Sequence, residues 1–142
     1  MRLSLLGKYL LKLRMIKYLD ELKKLELPRD KFSIFGSGCL AIKNIRENNG
    51  IDLIVKRDLW EKLVKKYPDL NDKNSIEIGN IEISESVPYV EDIDKLIDDS
   101  DIIEGIRFIK LSDLLEWKKK MGREKDLRDV ELILDCEKKA EK

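Results

Sequence analysis

The stretch FGSGCLAIKNIRENNGIDLIV, residues 35 to 55, decides how this chain folds. Phe35 closes the aromatic and β-branched run KFSIF (31 to 35), which reads as a strand, and a Gly36-Ser37-Gly38 turn follows. CLAIKNIRE (39 to 47) then takes up helical spacing, Asn48, Asn49 and Gly50 break it, and IDLIV (51 to 55) reads as a second, buried strand. A glycine turn that leaves a strand and opens a helix exposes backbone N–H groups beside the positive end of the helix dipole, which suits an anion. Ser37 adds a hydroxyl. The same turn also serves as a plain strand-to-helix connection, and without a following Gly-Lys-Ser/Thr it is not a Walker loop.

Working outward, residues 3 to 25 carry Leu6, Tyr9, Leu10, Leu13, Ile16, Leu19 and Leu22 at helical intervals, which predicts a helix with one buried face until Pro28 stops it. Downstream, RDLWEKLVKKYPD (57 to 69) predicts a helix with Asp58 as its N-cap and Leu59, Trp60 and Leu63 against the sheet. SIEIGNIEIS (75 to 84) alternates apolar and acidic residues about a Gly79-Asn80 turn, so Ile76, Ile78, Ile81 and Ile83 share one face, with Glu77 and Glu82 on the other. EDIDKLIDDS (91 to 100) reads as a short helix and GIRFIKL (105 to 111) as a strand. Two helices close the pattern, 112 to 121 and about 124 to 139, parted by Gly122. The expected fold class is α/β of the α+β kind: one domain over 1 to 142, a mixed β-sheet flanked by helices, with a C-terminal helical pair.

Composition narrows the chemistry. There is no histidine, which removes Ser/His and Cys/His catalysis and imidazole proton shuttles and leaves Asp, Glu, Lys, Arg or a hard metal ion to act. Twenty-nine basic residues balance twenty-nine acidic ones, so no global field favours nucleic acid or a membrane surface. Cys39 and Cys136 lie far apart in helical patterns and read as small buried apolar residues. No segment reaches about 18 uninterrupted apolar residues, and the N-terminal stretch is broken by Lys and Arg throughout. The chain is therefore expected to be cytoplasmic, with no membrane partner. Its 41% charged content leans towards a thermophile.

Asp52 stands on the strand after the glycine turn. In phosphoryl and nucleotidyl transfer, carboxylates at i and i+2 of a strand point to one face and clamp Mg²⁺ between the phosphates and the attacking hydroxyl. Here Gly50 holds the i position. Glu82, in NIEIS, is a second candidate if its strand lies beside that of Asp52, with Glu77 its equivalent on the partner strand. The polar face of a hairpin would look the same.

These residues resemble the core signature of the DNA polymerase β-type nucleotidyltransferase superfamily: a strand, a Gly-Ser turn, a helix, an Arg before the next strand, and Asp-x-Asp opening that strand. Gly36, Ser37, Ala41, Arg46, Asp52 and Leu53 stand where that pattern expects them. FIKLSDLLEWKKKMGREKDLRDVELI (108 to 133) in turn resembles the ending of small stand-alone nucleotidyltransferase-like proteins of bacteria and archaea, through Lys118, Gly122, Arg123, Lys125, Asp126 and Asp129. The resemblance implies a minimal nucleotidyltransferase fold that takes a nucleoside triphosphate with Mg²⁺ and transfers a nucleotidyl group to a hydroxyl on a protein or RNA acceptor. Gly36, Ser37, Arg46 and Lys118 would hold the nucleotide, and Asp52 and Glu82 would be the catalytic, metal-ligating pair.

Gly50 departs from the pattern, standing at the first Asp of the pair. Loss of such a preorganised charge costs about 10² to 10⁴ in rate, and strand alternation turns Asn49 away from the vacated place. Two readings follow: an Mg²⁺-dependent nucleotidyltransferase impaired by Gly50, or an inactive nucleotide- or partner-binding regulatory module of the kind found in toxin–antitoxin pairs. A third is nucleic-acid binding through WKKKMGREK (117 to 125). Arg46 is expected to meet phosphate or to pair with Asp52 or Glu47. Asp126 and Asp129 are expected as dipole partners and acceptors for Arg123 or Lys125, and Leu3, Leu5, Leu6, Leu10 and Leu11 as a face for a homodimer.

Overall fold

A computed structural model of the protein describes Leu13, residues 16 to 72 and residues 74 to 140. Seven strands form one mixed sheet in the order β3-β4-β5-β2-β1-β7-β6. In chain order the elements are α1 (Leu19–Lys24), β1 (Phe32–Phe35), α2 (Ser37–Ile42), β2 (Ile51–Val55), α3 (Arg57–Lys66), a 3₁₀ turn (Pro68–Leu70), β3 (Asn71–Asp72), β4 (Ser75–Ile78), β5 (Ile81–Ser84), α4 (Ile93–Asp98), β6 (Asp101–Ile103), β7 (Ile106–Phe108), α5 (Leu111–Met121) and α6 (Glu124–Ala140). The α+β class, the mixed sheet and the C-terminal helical pair all stand as the sequence predicts.

Strand pairing sets the site. β1 and β2 run antiparallel with Phe35 opposite Asp52, β2 and β5 run parallel with Asp52 opposite Glu82, and β4 and β5 run antiparallel with Glu77 opposite Glu82. Paired residues share a face of the pleat, so Phe35, Asp52, Glu82 and Glu77 form one row across four strands. The alternate residues Ile34, Leu53, Ile83 and Ile76 are buried in the core. The β4–β5 turn has Gly79 at φ 58, as a two-residue hairpin turn with glycine first requires.

The sequence reading contains neither β3 nor β6, and three of its predicted features differ from the structure. Tyr18 at φ 69 interrupts the first helical pattern, which resumes only at Leu19. The part of the predicted helix before Leu13, with the proposed homodimer face, lies outside the described residues. The helix expected over 39 to 47 instead spans Ser37–Ile42. It ends where Asn44 turns left-handed at φ 56, with Asn44 N–H donating to Ala41 O and Ile45 N–H to Leu40 O. That pair of bonds is a Schellman closure, which asparagine at C′ supports and periodicity does not register. Finally, Asp58 does not cap α3. Lys56 holds the N-cap position, while Asp58 lies inside the first turn and pairs with Lys31 at 2.9 Å.

Candidate functional site

The row of carboxylates opens into a cleft of about 670 Å³ whose far wall is α5 and α6. Every predicted site residue lines it: Gly36, Ser37, Arg46, Asp52, Glu82 and Lys118. The floor is packed closely. Gly36 has φ 69 and ψ −137, a conformation open to glycine, and a Cβ there would lie 2.9 Å from Asp52 Oδ2. A Cβ on Gly38 would lie 2.5 Å from Ile34 Cγ2 in the core. The turn is thus built of glycine because the Ile34 side chain and the Asp52 carboxylate press against it. Ser37 Oγ accepts from the Asn49 N–H at 3.3 Å.

Asn49 itself lines the cleft. Strand alternation does not turn Asn49 away, because β2 begins at Ile51 and Asn49 lies in the preceding loop. Gly50 faces a different constraint: a Cβ there would lie 3.1 Å from the Asn80 carbonyl oxygen, which already accepts the Ile51 N–H at 3.0 Å. Asn80 is held in place by the Glu21 carboxylate, which accepts from its backbone N–H at 3.0 Å and its side-chain amide at 2.9 Å. A side chain at position 50 therefore has to push on a clasped hairpin tip.

Opposite the acids, charge is distributed otherwise than the sequence suggests. Arg46 pairs neither with Asp52 nor with the Glu47 carboxylate. Its Nε and Nη2 donate to the two oxygens of Asp129 at 2.8 and 2.9 Å, and its Nη1 donates to the Glu47 carbonyl at 2.9 Å. Lys118 is no solvated helix end. Its side chain is 7% exposed, and its ammonium lies 2.9 Å from Asp129 Oδ2 and 3.6 Å from Asp126 Oδ1. Asp126 is fully buried and takes Arg123 Nε at 2.6 Å and Nη2 at 3.2 Å. Lys125 pairs with neither aspartate. Three cations thus share two buried carboxylates, a network whose excess positive charge borders the cleft. The expected pairing of Arg123 with an aspartate holds for Asp126; the burial of Asp126 and Asp129 depends on where α5 lies, which periodicity does not encode.

The acids respond to this setting. Burial pushes the Asp52 carboxyl above its usual range, with the charges of Lys125 and Lys118 acting the other way. Burial, reinforced by the neighbouring charges of Asp52 and Glu77, also pushes Glu82 up. Burial would raise Asp126 and Asp129 too, but hydrogen bonds from Arg123 to the one, and from Arg46 and Lys118 to the other, outweigh it and leave both below the usual range. A carboxyl raised in the folded state weakens the fold while ionised, a penalty that fades as pH falls through the raised value towards its unfolded value of about 4. A lowered one stabilises above that unfolded value and loses its contribution as pH falls through the lower one. Stability is therefore expected to rise slightly as pH falls from neutral towards the unfolded carboxyl value of about 4, and to drop below it. Glu82→Gln should raise the neutral-pH melting temperature by about 2 °C and reduce the rise. Thermal melts at stepped pH check this; a lower melting temperature for the variant would contradict it.

Among the described residues no group of three or more Cys, Asp or Glu side chains is placed to hold a metal ion. The pair Asp52 and Glu82 nevertheless fits Mg²⁺, which binds through one or two carboxylates and completes its shell with phosphate and water. Two like charges held side by side, both raised in pKa, are also the groups a cation would relieve. Of the basic stretch, Lys118, Lys119 and Arg123 are in ion pairs, which leaves Lys120 and Lys125 for a nucleic-acid backbone.

Comparisons with family models, with curated proteins and with solved structures found no match. Among the described residues no helix is long and apolar enough to cross a membrane.

Proposed function

We propose that the cleft binds a nucleoside triphosphate with Mg²⁺ and belongs to a nucleotidyltransferase-like protein whose transfer step is weakened by Gly50. The observation carrying this reading is the in-register row of Asp52 and Glu82 facing a cationic wall across the mouth of the Gly36-Ser37 turn. Acid on one side and base on the other suits a ligand that is itself a cation-bearing polyphosphate. In the full reaction an acceptor hydroxyl oxygen bonds to the α-phosphorus, the bond from that phosphorus to the bridging oxygen breaks, and pyrophosphate leaves. The hydroxyl proton passes to a carboxylate of the row. Bound Mg²⁺ would neutralise phosphate charge and orient the nucleophile. Asp52 and Glu82 would hold it, and Gly36 and Ser37 would border the phosphates.

A second reading, a regulatory module that binds nucleotide without transfer, is favoured by Gly50: the i, i+2 carboxylate pair is incomplete, and the Asn80 carbonyl crowds the place its partner would take. One calorimetric series separates the readings. ATP, GTP, CTP and UTP are titrated with and without Mg²⁺ into the natural chain, Asp52→Asn and Gly50→Asp. Mg²⁺-dependent binding by the natural chain, weakened about tenfold or more in Asp52→Asn, is the expected result. Weak, metal-insensitive binding by the natural chain with tight Mg²⁺-dependent binding by Gly50→Asp points instead to the regulatory reading. No nucleotide binding by any of the three overturns both.

A further inference from the structure

The cleft holds five cationic side chains, and the structure separates them by what they already do. Arg46 spends Nε and Nη2 on Asp129 and Nη1 on the Glu47 carbonyl. Lys118 is buried between Asp126 and Asp129. Arg123 is committed to Asp126 through Nε and Nη2, and Arg128 to Glu124 at 3.1 Å. Every carboxylate within a turn of Lys125 is thereby taken, and Lys125 makes no salt bridge among the described residues. It stands exposed on the first turn of α6, lining the cleft.

We propose that Lys125, not Lys118, is the side chain that meets the polyphosphate of the ligand, while Lys118 fixes the wall from which Lys125 projects. This rests on the nucleotide reading of the cleft and adds a residue to it. A lysine ammonium is a compact charge with three donors on a flexible stem, suited to following phosphate oxygens that shift between bound states. A lysine locked between two buried aspartates has no such freedom, and withdrawing it to meet a ligand would strand both carboxylates.

The test is calorimetry with two titrants, Mg²⁺-ATP and Mg²⁺-tripolyphosphate, on the natural chain, Lys125→Ala, Lys125→Arg and Lys120→Ala, the last an exposed lysine of α5 outside the cleft. Melting temperatures are recorded in parallel. Lys125→Ala should weaken both titrants about ten- to a hundredfold with an unchanged melting temperature; Lys125→Arg should recover much of the loss, and Lys120→Ala should bind as the natural chain. If the natural chain binds Mg²⁺-ATP and Lys125→Ala binds it equally, the assignment of Lys125 is overturned and the nucleotide reading stands. If tripolyphosphate binds in a Lys125-dependent way but ATP does not bind, Lys125 holds as a polyphosphate contact and the nucleotide reading falls. If neither titrant binds the natural chain, both are overturned.

Discussion

Asp126→Ala is expected to lower the unfolding free energy by about 3 kcal/mol, the scale of breaking a buried ion pair by removing one partner. Asp126 is fully buried, and its loss leaves Lys118 and Arg123 facing each other with one carboxylate fewer. Arg123 is 45% exposed and can turn to water, but the Lys118 side chain is 7% exposed and cannot. The unpaired cost therefore falls mainly on Lys118. Asp126→Asn keeps the shape and an acceptor oxygen without the charge and should lose a smaller part. Urea denaturation measures both. A loss under about 1 kcal/mol for the alanine variant would mean that the network relaxes into solvent and does not anchor α6. Since natural domains are stable by only about 5 to 15 kcal/mol, the expected loss would matter to the whole fold.

Gly36→Ala is expected to damage stability and binding together. Its φ of 69 with ψ of −137 strains any residue bearing a Cβ, at about 1 to 3 kcal/mol, and the new methyl would lie 2.9 Å from Asp52 Oδ2. Asp52 must then rotate away, so Mg²⁺-dependent nucleotide affinity should fall about tenfold or more. Gly122→Ala provides the contrast. Gly122 is also left-handed, at φ 62, but the nearest atom to its added Cβ is Lys119 O at 3.7 Å. That variant should lose about 1 kcal/mol of stability and no affinity. Melting curves and calorimetry on the two proteins decide the matter; equal affinities would show that Asp52 has room to yield.

Much of this was legible in the sequence because it depends on local alternation. The Gly79-Asn80 hairpin, the strands at 32 to 35 and 51 to 55, and the two closing helices follow from patterns a few residues long. Asp52 and Glu82 were identifiable as acids on strands, but their adjacency rests on a parallel pairing between strands 25 or more residues apart, and no local signal fixes that register. The cationic wall was less legible still. Lys118 in WKKK and Asp126 in REKD look like ordinary helix surface, and only the packing of α5 and α6 brings them into one buried network with Arg46. The close of α2 at Asn44 was missed for the opposite reason: the apolar spacing continues through Ile45 although the backbone has already turned.

The bidentate contact from Arg46 to Asp129 joins positions 83 residues apart. Closing a loop of that length carries an entropic cost that local hairpins and helices do not. A chain that has assembled β2 and β5 but not docked α6 therefore holds its carboxylates with no cations opposite, a repulsive surface without a ligand's complement. On the nucleotide reading, the cleft is complete only when α6 is docked, so ligand binding would report that docking as well as the assembly of the strands.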